Sequence, residues 1–255
     1  MRALKAEKIG YWSGIVLVIL GLVYLGLILV MMLSGSGFPP AEPLQSIFNA
    51  LILITAPWMV FFWVILHQSA PVGRKIFSQA SLALIVIFAA LTSINRYVGL
   101  TVVKQSIASG NTNGLQWFLP YSWPSIMLAL EFLAWGFFFG LACLSLAPVF
   151  IHRGLEKAIF WTLIVTGILS LLAPLGQLVG TDPMSFTLFT AAGEMGWGPG
   201  LLLVAVLLVI WFHRKMLPSD KYSKSEGYHE NAQDPKKSNR SAPDDPRHCL
   251  QCSRD

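Results

Sequence analysis

Few side chains in this sequence are equipped for chemistry, and four of them stand in or beside long apolar stretches. Glu131 and Glu194 are carboxylates embedded in hydrophobic runs, and Asn95 and Arg96 close another run. An ionisable group at the centre of a bilayer costs about 2.5–3.5 kcal/mol on insertion scales, so it turns toward a bundle interior and often marks function. A long arginine at that depth either reaches inward to a carboxylate or snorkels out to water. Glu194 also sits within residues 193–200, which hold four glycines and one proline. Proline removes an intrahelical hydrogen bond and glycine lowers helix propensity, so this segment predicts a broken helix. Such breaks are tolerated where protein or a water-filled cavity satisfies the freed backbone, and in carriers they form substrate or ion sites. Glycines alone would read as close helix packing. With a carboxylate in the same segment, a polar cavity is the stronger expectation.

A second group is His248, Cys249 and Cys252 near the C-terminus. Structural zinc takes four ligands in fixed geometry, and these are three until His229 is recruited. A redox C-x-x-C opens a helix in a βαβ setting, for which nothing here provides. Cys143 reads as a small apolar packing residue. Three cysteines, two of them in the tail, do not make a disulfide framework. Asn239-Arg240-Ser241 matches the glycosylation pattern, but on a cytoplasmic tail it would be inert. No histidine occupies the middle of an apolar run, so no bis-histidine haem site is expected, nor is an H-E-x-x-H protease. No G-x-S-x-G elbow, P-loop or aspartate-rich cluster is found either. The sequence therefore predicts no cofactor and no metal. An intramembrane enzyme using Glu131 and Glu194 ranks last among the readings, because no nucleophile accompanies them.

The elements that must position these residues follow from composition. Of 255 residues, 55% are apolar and only 12% charged, where a soluble domain carries about 25% charged residues. A bilayer-spanning helix needs about 20 mostly apolar residues. Six stretches meet that length, roughly 12–33, 44–66, 76–97, 119–147, 158–179 and 186–212. Barrel strands would show about 10 residues of alternation instead. The fold class is thus all-α, a six-helix transmembrane bundle. A retained first helix fits better than a signal peptide, whose apolar core is only about 7–15 residues long. Pro57 and Pro174 predict kinks in the second and fifth helices, and Pro124 falls in the first turn of the fourth. The longest outer connection is expected over 99–118, with a turn-rich tip at 109–114.

Charge sets the orientation. Sixteen of the eighteen lysines and arginines fall on one side of the six stretches, leaving Arg96 and Lys104 on the other. The positive-inside rule then predicts both termini in the cytoplasm of a plasma-membrane protein. Tyr11, Trp12, Trp117, Tyr121, Trp123 and Trp211 lie at the ends of the runs and read as interfacial anchors. Residues 218–255 hold seven basic and seven acidic side chains, four prolines and almost no large aliphatics. They cannot bury enough apolar area to offset their ordering entropy, which predicts a disordered polar tail.

Residues 93–98, Ser-Ile-Asn-Arg-Tyr-Val, and 117–125, Trp-Phe-Leu-Pro-Tyr-Ser-Trp-Pro-Ser, continuing through Glu131, resemble stretches of multi-pass membrane proteins from prokaryotes that carry no established activity. The resemblance implies membrane location and transfers no site. Together the residues predict an outward-facing polar pocket lined by Asn95, Arg96, Glu131 and Glu194. It would bind or carry a small polar solute, an ion or a lipid head group. The competing expectation is a sensor or assembly subunit whose buried charges only fix helix register. The lipid bilayer is the expected partner and nucleic acid is not. Homodimerisation is compatible with a small bundle, without a motif to establish it.

Overall fold

The computed structural model describes residues 2–34, 42–119, 125–151, 154–179 and 183–217. Among them the fold is all-helical, without strands, and six helices are long and apolar enough to cross a membrane. They are α1 (Arg2–Leu33), α2 (Leu44–Ser69), α3 (Val72–Ala108), α4 (Ile126–Val149), α5 (Leu155–Val179) and α6 (residues 183–216). Local signals punctuate them. Pro71 forces Ala70 into extended backbone (ψ 141°), which ends α2. Ser125 opens α4, its Oγ accepting hydrogen bonds from the Met127 and Leu128 amides. Gly110 and Gly114 hold the left-handed conformations (φ 71° and 74°) that turn the chain between α3 and α4.

The helices pack in chain order, each against its sequence neighbours, and α1 closes back on α6. The shared core comprises Met59, Phe62 and Trp63 of α2, Ile85 and Phe88 of α3, and Phe139 and Leu146 of α4. Leu163 of α5 and Leu208 and Phe212 of α6 complete it. One polar thread crosses that core: Trp63 Nε1 donates to Ser81 Oγ (2.8 Å), and Ser81 Oγ donates to the Ala142 carbonyl (2.7 Å). It ties α2, α3 and α4 together at one level. Small residues bring α4 and α5 close. A Cβ added at Gly167 would lie 2.8 Å from the Gly140 carbonyl oxygen.

Two expectations change. The connection expected over 99–118 is half helix, because α3 continues to Ala108. Gly99 does not stop it; the glycine is there because a Cβ would sit 3.0 Å from the Asn49 amide nitrogen. The break expected at 193–200 is also not a break. The chain passes through it as a π-helical turn, Gly196–Gly200. An i→i+5 turn spaces the backbone bonds differently and accommodates Pro199 without ending the helix. Two further π segments lie at Gly99–Val103 in α3 and Phe132–Phe138 in α4. Pro124, the 218–255 tail and the His248–Cys249–Cys252 group lie outside the described residues. Cys143 is buried with a free thiol, as a packing residue would be.

Candidate functional site

Three of the four expected residues meet. Asn95 and Arg96 occupy adjacent positions in α3, and Ser125 starts α4 at the height that sets Glu131 opposite them. Arg96 Nη2 forms an ion pair with Glu131 Oε1. The Asn95 amide donates to Glu131 Oε2 (2.6 Å) and to the Met127 carbonyl (3.1 Å). Arg96 Nη1 also donates to Asn49 Oδ1 of α2 (3.2 Å). Asn49, Asn95 and Arg96 are only 1%, 1% and 2% exposed, so the arginine and both amides are shut off from solvent. Removal from water raises the Coulomb attraction of the pair and also its desolvation cost. The summed charge of Arg96 and Glu131 is zero.

Glu131 is the member that faces outward from the network, its side chain 15% exposed. It lines a cavity of about 60 Å³ enclosed by α1, α2, α4 and α6. The remaining wall is largely apolar, with Leu17 and Gly21 from α1, Ile52 from α2, and Gly198 and Ala205 from α6. Tyr24, Thr55, Trp135 and Trp197 add the other polar atoms, and Glu131 is the only acidic or basic side chain in the wall. The Trp135 ring is held edge-on against Phe88, with centroids 4.6 Å apart. Its Nε1 has no hydrogen-bond partner among the described residues. A buried indole N–H without a partner is uncommon, and Trp135 is one of the residues that line the cavity.

The structure does not bring Glu194 into this group. It is exposed on α6 and belongs neither to the network nor to the cavity wall. In an unbroken α-helix it would share a face with Trp197, Gly198 and Leu201, at spacings of three, four and seven residues. The π turn intervenes at Gly196–Gly200. One extra residue in a turn rotates the preceding helix by up to about 100°, carrying Glu194 off that face. Asn49, Trp135 and Trp197 are members that sequence reasoning missed. Trp135 and Trp197 carry a readable signal, since an indole well inside an apolar run is out of place there, whereas Asn49 near the start of its run carries a weaker one.

Family models, curated proteins and solved structures offer no match to this chain. Its function therefore has to be argued from the site.

Proposed function

We propose that the chain is a multi-pass plasma-membrane protein, with both termini in the cytoplasm, that binds a small hydrogen-bond donor at Glu131. The observation that carries this reading is the position of that carboxylate. Arg96 and Asn95 fix it on one side, and on the other it forms part of an otherwise apolar cavity wall. An ionised carboxylate only accepts hydrogen bonds, so its spare lone pairs suit a donor. The volume narrows the ligand further. About 60 Å³ holds a few waters at one probe sphere of roughly 10–15 Å³ each. That admits water, a small solute or the tip of a lipid head group, and it refuses a sugar unless the helices part. Because Arg96 already balances Glu131, a neutral donor suits the site better than a bare cation.

A second reading draws on the same network. Arg96 is bonded to both Asn49 and Glu131 inside the bundle, as it would be if it only locked α2, α3 and α4 in register. The two readings part in one experiment. Thermal unfolding of the purified protein in detergent is followed against small alcohols, amines, amides and lipids, for wild type and Glu131→Gln. A ligand that binds only the folded state raises apparent stability by mass action. Ligand binding predicts a compound that stabilises wild type and not the variant. If no compound shifts wild type and the variant unfolds far earlier, the network is a strut.

A further inference from the structure

A second feature lies at the opposite end of the bundle, on the outside of α1 and α2. Lys8, Ile9, Trp12, Ser13 and Val16 of α1, with Trp58 and Phe61 of α2, line an open groove of about 440 Å³. Helix α1 is the least covered of the six. Only 11% of its apolar window is buried, against 33–50% in the others, so one side of the groove is a bare helix face. The groove is nonetheless a built shape. Trp58 Nε1 donates to the Ser13 carbonyl across the two helices (3.0 Å), which fixes the indole as its floor. Ile9, Trp12 and Phe61 stand exposed along its walls.

Its charge lies at one end. Lys8 is exposed and makes no ion pair among the described residues, while every other lining residue is uncharged. Eight residues separate Lys8 from Val16, which at 1.5 Å each is about 12 Å along the helix. Half of a hydrocarbon core is about 15 Å. The groove thus runs from a cation at the cytoplasmic rim to a level near mid-bilayer. An apolar slot of that length, with aromatic walls and a cation at the head-group level, is complementary in shape and charge to an anionic lipid from one leaflet.

On the membrane reading above, we infer that this groove binds one anionic phospholipid of the cytoplasmic leaflet, its phosphate on Lys8 and an acyl chain against Trp12, Trp58 and Phe61. Phosphatidylglycerol and phosphatidylcholine, titrated into detergent micelles of the full chain, give apparent affinities from the rise in unfolding temperature. Wild type should prefer the anionic lipid. A basic residue near an anionic surface contributes about 1 kcal/mol, so Lys8→Gln should weaken phosphatidylglycerol about fivefold and leave phosphatidylcholine unchanged. Lys8→Arg should keep the preference. Lys75→Gln removes the same charge from the same side of the bundle outside the groove, and it should also keep the preference. Equal affinity of wild type for the two lipids overturns the site, and so do equal losses in Lys8→Gln and Lys75→Gln. Stabilisation by inorganic phosphate to the same degree overturns the lipid as occupant. A chain that stays monodisperse without detergent overturns the membrane reading instead, which separates the two failures.

Discussion

At the scale of single residues, the decisive arrangement is a carboxylate held by an arginine and an amide, with its remaining face toward a small void. A buried ion pair contributes little net stability, because desolvation offsets most of the attraction, yet losing one partner is costly. Glu131→Ala should therefore destabilise the protein by about 3–5 kcal/mol, since it leaves Arg96 charged and buried. The double variant Arg96→Met/Glu131→Leu should regain most of that loss. Reversible unfolding of Arg96→Met, Glu131→Leu and the double variant checks this, and additive losses would contradict it. Part of the site is legible in the sequence. Asn95, Arg96 and Glu131 announce themselves as polar groups in apolar runs, and the structure joins them. Asn49 carried the same mark in the second run. It escaped notice because a single amide near the end of a span is a weak signal beside a charge.

At the scale of elements, the helices were readable and their phases were not. Length and hydropathy locate six runs, because a helix able to cross a bilayer needs about 20 mostly apolar residues. A π turn leaves no such mark. It changes which carbonyl each amide bonds, and composition is blind to that. A broken helix at 193–200 predicts Glu194 in the polar pocket with Glu131; the chain instead runs on through the π turn at Gly196–Gly200, and Glu194 stands on the outside. Three of the four glycines there, Gly193, Gly196 and Gly200, serve close packing. A Cβ at Gly196 would fall 2.6 Å from Ser170 Oγ and 2.7 Å from the Ser170 amide nitrogen on α5. Gly196→Ala should then cost about 1–3 kcal/mol through overpacking. Gly73→Ala, where a Cβ meets nothing within 4 Å, should stay within about 0.5 kcal/mol of wild type. Thermal unfolding of the two variants side by side tests the contrast.

Across the whole molecule, six helices packed in chain order make a bundle whose outside is largely apolar and whose Asn49, Asn95 and Arg96 are buried within. The orientation proposed for it rests on sixteen basic residues gathered on one side. It predicts that a cysteine placed at Asn111, in the turn after α3, reacts with a membrane-impermeant maleimide on intact cells. A cysteine placed at Gly73, in the first turn of α3, should react only after permeabilisation. The reverse pattern would invert the topology and put the cavity's Glu131 end toward the cytoplasm.

If the space beside Glu131 is a binding site, filling it without touching the ion pair should abolish binding. Gly198 lines the cavity, and a Cβ there meets nothing within 4 Å. Gly198→Leu should fold with near wild-type stability, keep the Arg96–Glu131 pair and lose the stabilisation by whichever compound protects wild type. If Gly198→Leu responds to that compound as wild type does, the ligand does not occupy this cavity, and Glu131 is a structural group.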